Sequence, residues 1–180
     1  GTLDAISDFL GHELGTTTIV GGRRSVVSRK FDDLGRLAWV SEPGWDGVSQ
    51  PYGTRYSYDN RNRLKQVKKP YDSITSIGST GGGLVTFTYS GLRVTRTDEK
   101  GRVSYVDLDP MGSVVASVDT TAATDPGGAR DIKVTHTYGP FGLPNTTTDA
   151  LGKVSSFTWD ILGRRTYQDD PDSGTETVVY

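Results

Sequence analysis

Along most of this chain apolar and polar residues alternate with a period of two. Val85, Phe87 and Tyr89 fall on one side of a run, with Thr86 and Thr88 on the other. Ile132, Val134, His136 and Tyr138 repeat the arrangement, and Phe157 and Trp159 flank Thr158. Successive side chains of a β-strand point to opposite faces, so this period predicts strands. The runs are short and separated by Asp, Asn and Gly, which predicts turns. The opening stretch reads two ways. Leu3, Ile6, Leu10 and Leu14 are spaced as on a helix, whereas Asp8-Phe9-Leu10-Gly11 fits a turn pattern that recurs downstream.

That pattern is one short phrase, rewritten several times. Phe31-Asp32-Asp33-Leu34-Gly35-Arg36-Leu37 returns as Tyr58-Asp59-Asn60-Arg61-Asn62-Arg63-Leu64 and as Trp159-Asp160-Ile161-Leu162-Gly163-Arg164-Arg165. Looser copies run through Asp98, Gly101 and Arg102, through Asp109 and Gly112, and through Asp149 and Gly152. A repeat fixes architecture before any local assignment does, and it points to a function spread over a surface. Asp at the first corner of a type I turn accepts a backbone hydrogen bond from two residues on, and Gly at the fourth corner supplies a left-handed residue. Asp-x-x-Gly therefore predicts the tip of a β-hairpin. Asn62 replaces Gly in the second copy, and Asn tolerates the left-handed conformation well. Tyr138-Gly139-Pro140-Phe141-Gly142 keeps the aromatic and the last Gly but lacks the Asp.

Composition agrees with a turn-dense β protein: 33% hydrophobic residues, 23 glycines and a single Met. The net charge of −2 gives no global argument for nucleic acid or a membrane surface. The charge is uneven, because residues 1–70 carry an excess of Lys and Arg and residues 71–180 an excess of Asp and Glu. With no cysteine there is no disulfide framework and no thiolate chemistry. No apolar run is long enough to span a membrane, and no signal-peptide pattern opens the chain. Loops are expected near 43–53, 76–83 and 120–130, and nothing marks a domain boundary, so 1–180 reads as one array. It closes on the strand-like Thr175–Tyr180 with no hairpin partner after it, which reads as a cut through a longer array, with self-association through the exposed sheet edges.

The Tyr/Phe-Asp-x-x-Gly-Arg-Leu phrase resembles the signature of the YD, or RHS, repeat family, over most of residues 5–180. That family includes bacterial RHS toxins, B and C components of Tc insecticidal toxins, wall-associated proteins and teneurins. The resemblance implies an all-β fold of tandem antiparallel hairpins in a long twisted sheet, a section of a spiral shell. In the toxins such a shell encloses a toxic C-terminal segment; in teneurins the repeats serve adhesion. It therefore implies a secreted or cell-surface bacterial protein. Its partners would be the rest of its own shell and an encapsulated segment or, alternatively, a glycan or cell surface. The denser core region that carries self-cleavage in the toxins is not found in these residues.

The candidate chemistry is weighed against that framework. Asp32, Asp59, Asp98, Asp109, Asp149 and Asp160 recur at hairpin tips, which favours turn capping over catalysis. Adjacent carboxylates such as Asp32-Asp33 point apart, unlike the facing pair of a glycosidase. The acidic run Asp169-Asp170-Pro171-Asp172-Ser173-Gly174 misses the order of an EF-hand loop. His12 and His136 have no cysteine to join them in a zinc site, and His136 is expected to be bonded within a sheet. Gly81-Gly82-Gly83 lacks the Lys-Ser/Thr of a phosphate loop. Arg55, Arg61, Arg63, Lys65, Lys68 and Lys69, interleaved with Tyr52, Tyr56, Tyr58 and Tyr71, form the best candidate for a binding patch, although strand alternation would split it between two faces. The reading is a structural, non-enzymatic repeat segment without cofactor or metal. Its residues of interest are the turn positions Asp32, Gly35, Arg36, Tyr58, Asp59, Asn62, Arg63, Asp98, Gly101, Arg102, Asp109, Gly112, Asp149, Gly152, Trp159, Asp160, Gly163 and Arg164.

Overall fold

The computed structural model describes residues 3–8, 10–47, 52–70, 83–121, 128 and 130–180. These form sixteen strands. They are β1 (Leu3–Ser7), β2 (Glu13–Val20), β3 (Arg23–Phe31), β4 (Leu37–Ser41), β5 (Gly44–Trp45), β6 (Gly53–Tyr58), β7 (Leu64–Lys68) and β8 (Leu84–Ser90). There follow β9 (Arg93–Thr97), β10 (Val103–Leu108), β11 (Val114–Thr120), β12 (Asp131–Tyr138), β13 (Pro144–Thr148), β14 (Val154–Trp159), β15 (Arg165–Asp170) and β16 (Gly174–Thr177). Among the described residues there is no α-helix, and one turn of 3-10 helix lies at Pro140–Gly142. The all-β fold of tandem antiparallel hairpins expected from the alternation is the fold observed.

The chain divides into two compact units, residues 1–87 and 88–180. In the first, hydrogen bonding runs β1-β2-β3-β4-β6-β7-β8 in chain order, with β5 set apart on β3. In the second it runs from β9 through β16 in chain order. Every observed pairing is antiparallel, so consecutive connections fall alternately at opposite ends of the strands, along two turn-bearing edges. The turns after Asp8, Asp32 and Asp59 therefore share one edge of the first unit. In the second, the turns at Asp109, Gly139 and Asp160 share one edge, and those at Asp98 and Asp149 lie on the other.

The opening stretch is a strand. Leu3 to Ile6 pair with Thr18 to Gly15, and the helical spacing of Leu3, Ile6, Leu10 and Leu14 is broken by a turn at Asp8. Pairing with β2 satisfies the backbone of this segment, which outweighs a weak local preference. The expected loop at 43–53 contains β5, whose Trp45 and Gly44 pair with Ser25 and Val26. Residues 48–51 of that loop, nearly all of the expected loop at 76–83 and most of that at 120–130 lie outside the described residues.

The buried core is thin. Among the described residues the buried hydrophobic side chains are Val85 in the first unit and Ala116 and Val118 in the second; the polar Thr17 and Ser41 in the first and Asp98 in the second are also buried. With so little apolar burial, turn and cross-strand hydrogen bonds carry an unusual share of the order, and the turns are where the sequence repeats.

Candidate functional site

Each Asp turn is built the same way. The Asp backbone N–H donates to the carbonyl of the fifth residue, as Asp32 to Arg36 at 2.8 Å, and the fourth residue donates back to the Asp carbonyl, as Gly35 to Asp32 at 2.9 Å. The carboxylate closes the loop from within. Asp32 Oδ1 accepts the N–H groups of Leu34 (3.0 Å) and Arg36 (2.9 Å), while Oδ2 accepts Arg36 Nε at 2.8 Å. Asp59, Asp98 and Asp160 repeat this with Arg63, Arg102 and Arg164. Asp109 and Asp149 make the two backbone bonds only, because Ser113 and Lys153 stand where the arginine would be. The fourth residue is left-handed throughout: Gly35 (φ 74), Asn62 (φ 62), Gly101 (φ 76), Gly112 (φ 90), Gly152 (φ 81) and Gly163 (φ 74).

Two variants show which part is indispensable. Asp8 forms the same turn with His12 in the arginine's place, His12 Nδ1 lying 2.9 Å from Asp8 Oδ2. Phe9, between them, lies outside the described residues. At Gly139 no Asp is present, yet Gly139 N–H still bonds Leu143 O at 2.8 Å and Gly142 has φ 70. There Phe141 itself takes φ 67, a conformation rare for an aromatic residue. The backbone turn survives without its carboxylate.

The aromatic residue at the end of a strand, before the Asp at Tyr58 and Trp159 and before Gly139 at Tyr138, has a role that the turn alone does not require. Tyr58 donates its hydroxyl to Leu37 O at 2.8 Å, the carbonyl just past the preceding turn on the same edge. Tyr138 does so to Val114 O at 2.7 Å, Trp159 Nε1 to Pro144 O at 2.7 Å and Tyr180 to Arg165 O at 3.2 Å. The arginine of the earlier turn then covers the ring: Arg36 lies 4.5 Å from the Tyr58 centroid, and Arg164 4.4 Å from that of Tyr180. Phe31, which has no hydroxyl, stacks on His12 instead at 4.7 Å. Arg36 also donates to Asn62 Oδ1 at 2.6 Å, joining two tips directly. The tips after Tyr58, Tyr138 and Trp159 are thus each fastened to the one two strands earlier and form a ladder along their edge, whereas Asp109, preceded by Leu108, has no ring to extend. On the opposite edge of the second unit Thr97 and Thr148 precede Asp98 and Asp149, with no ring to extend. A cavity of about 320 Å³ lies between two ladder tips, bordered by Phe141, Leu143, Phe157, Trp159 and Ile161.

The electrostatics follow from these bonds. The Arg36 guanidinium, ahead of the backbone donors, holds Asp32 below the usual carboxylate range. The Arg63 backbone N–H, followed by its guanidinium, lowers Asp59 to about 2. Asp160 is lowered in the same way by Arg164. At Asp98 desolvation pushes the pKa up, but the bonds from Arg102 and Lys100 outweigh it and the net shift is downward. Each of these carboxylates accepts two backbone N–H groups and an arginine, the bonding pattern of a turn cap.

The remaining candidates are dispersed. His136 Nδ1 lies 3.1 Å from Thr147 Oγ1 within the sheet. In the acidic run Asp170 closes its own turn through the N–H groups of Asp172 and Ser173 and takes a bond from Ser155, which lowers it to about 2. Of the basic cluster, Arg55 and Lys68 share one face and Lys65 takes the other, while Arg61 and Arg63 sit at the tip after Asp59; Tyr71 lies outside the described residues.

Fold and tips together define an all-β array of tandem hairpins laced along one edge. The fold is similar to that of chains in solved toxin structures. The chain is similar to one in the Tc holotoxin pore of Photorhabdus luminescens bearing the TccC3-D651A mutation, with TM-score 0.75 and 15% identity over 97% of this chain and 10% of that one. It is similar to a chain of the TcdB2-TccC3-Cdc42 crystal structure, with TM-score 0.75 and 14% identity over 97% of this chain and 11% of that one. TcdB2-TccC3 without its hypervariable C-terminal region aligns at TM-score 0.62 and 14% identity, over 98% of this chain and 12% of that one. No protein-family model and no curated protein sequence matches the chain. The likeness is therefore one of fold, and the chain spans about a tenth of the length of these toxin chains.

Proposed function

We propose that the chain is a section of repeat wall in a secreted, toxin-encapsulating delivery shell, and that its role is structural and not enzymatic. The observation that carries this reading is the ladder, in which the aromatic of one tip is bonded to the carbonyl beyond the previous tip on its edge. A device that passes from hairpin to hairpin suits a wall that is extended by adding hairpins, since each repeat is stabilised by its neighbours. The similarity of fold to Tc toxin chains supports the same role. The turn-capping carboxylates and the dispersed histidines favour it over catalysis.

The test is a chimera. This chain replaces the structurally aligned segment of TcdB2-TccC3, and protease protection of the C-terminal region is measured. Protection equal to that of the parent is expected. A soluble chimera whose C-terminal region is digested at the rate of the free segment would overturn the wall role. For the non-enzymatic part, ester, peptide, glycoside and phosphodiester substrates should show background turnover only. Turnover abolished by a single Asp or His substitution would contradict it.

A further inference from the structure

Strands β3, β4, β6, β7 and β8 contain Arg23, Arg24, Arg29, Lys30, Arg55, Lys65 and Lys68, and no Asp or Glu. Register arranges part of this charge into a line. Lys30 is opposite Trp39, Trp39 opposite Arg55, and Arg55 opposite Lys68. Residues directly opposite one another share a face, so these four side chains form one row across the sheet. With strands ~4.8 Å apart, the row is roughly 14 Å long. Lys30, Arg55 and Lys68 are exposed, and none of them is ion-paired among the described residues. Arg29 and Arg36 in the same unit meet Glu13 and Asp32. The row is thus positive charge that no carboxylate among the described residues answers.

The surroundings narrow what could answer it. Ser28, Ser57 and Gln66 share the face with the row, Ser41 beside them is buried, and the exposed Leu84, opposite Lys68, ends the row on the β8 side. The tyrosines that alternate with the cations in sequence are elsewhere: Tyr56 is on the opposite face with Lys65, and Tyr58 is engaged with Arg36 and Leu37. Trp39 is half-buried and already in contact with neighbours. The Lys30 ammonium lies 5.1 Å from its ring centroid, and Gly53 is so near that a Cβ there would sit 2.6 Å from its Nε1. Binders of single-stranded nucleic acid stack bases on open aromatic faces, and this face presents none. Carboxylates need no such platform, since Lys and Arg bind them through charge-assisted hydrogen bonds.

We propose that this face of the first unit docks an acidic polypeptide segment, its carboxylates engaging Lys30, Arg55 and Lys68. The proposal goes beyond the wall role and depends only on the row. Fluorescence anisotropy of the full chain with a labelled alternating Glu-Ser dodecapeptide tests it, at low and at physiological salt. Binding is expected to weaken as salt screens the row. Replacing Lys30, Arg55 and Lys68 together by Gln should weaken it by about tenfold or more, a shift of ~1.4 kcal/mol. Lys65→Gln, on the other face, should leave the affinity within about twofold, a change of under ~0.5 kcal/mol. Lys68→Glu alone, with an unchanged circular dichroism spectrum, should also weaken binding and guards against misfolding of the triple variant. Absence of peptide binding at low salt, or an equal loss on Lys65→Gln, would overturn the proposal. So would tighter binding of a sulfated octasaccharide or an oligothymidylate than of the peptide.

Discussion

The two edges of the second unit carry the same turn in different company. Asp160 and Asp149 both accept two backbone N–H groups on Oδ1, and Gly163 and Gly152 are both left-handed. At Asp160 the turn is preceded by Trp159, bonded back to Pro144, and followed by Arg164, which lies over Tyr180. At Asp149 it is preceded by Thr148 and followed by Lys153, whose partner is Asp172 of the β15–β16 turn. Turn formation and tip-to-tip fastening are therefore separable. Among the described residues the Asp-x-x-Gly phrase makes a hairpin wherever it occurs, and the added aromatic makes that hairpin part of a ladder.

The largest expected effect breaks the ladder edge alone. Trp159→Ala removes a half-buried indole and its bond to Pro144 and should cost about 2–3 kcal/mol in chemical denaturation, less than a fully buried Trp because the ring is partly exposed. Thr148→Ala on the other edge should cost under ~0.5 kcal/mol, as ordinary surface substitutions do. Equal losses would erase the distinction between the edges.

Backbone conformation comes next and should be blind to the edge. Gly163→Val and Gly152→Val each force a β-branched residue to positive φ and should each cost about 1–2 kcal/mol. Gly35→Ala adds a contact, because its Cβ would lie 3.1 Å from His12 Nε2, whereas nothing lies within 4 Å at Gly152. Gly35→Ala should therefore destabilise more than Gly152→Ala. The reverse order in thermal melts would show that the His12–Phe31 stack yields freely.

Much of this was legible in the sequence because it is local. An Asp carboxylate reaches the N–H groups two and four residues on whatever surrounds it, so the hairpin tips and the left-handed Asn62 could be read from spacing alone. The ladder could not. Its bonds join residues 15 to 24 positions apart, across intervals whose loops differ in length. A signal was nevertheless present: the copies that begin with Phe, Tyr or Trp all lie on ladder edges, and those that begin with Thr lie on the opposite one. The cation row was hidden for the same reason. Lys30 and Trp39 become neighbours of Arg55 only through register, and the tyrosines beside Arg55 in sequence are on another face. At the N-terminus a four-residue apolar spacing suggested a helix, and pairing with β2 decided otherwise.

A smaller effect sharpens the electrostatic side. The lowered carboxylates contribute stability that is present above their unfolded pKa of ~3.9 and lost as pH falls through their folded values, about 2 at Asp59. Stability should thus decline from about pH 4 toward pH 2. Asp59→Asn should flatten that decline, and an unchanged acid limb in the variant would contradict the assignment of the shift to the turn.

The ladder itself is tested most directly by amide hydrogen exchange on Tyr58→Phe, followed residue by residue with NMR. The substitution deletes only the hydroxyl that bonds Leu37 O, 21 residues upstream. Exchange should accelerate at Leu34 and Arg36, in the preceding turn, while Arg61 and Arg63, in the turn that Tyr58 itself precedes, keep their protection. Faster exchange confined to Arg61 and Arg63, with Leu34 and Arg36 unchanged, would contradict the account.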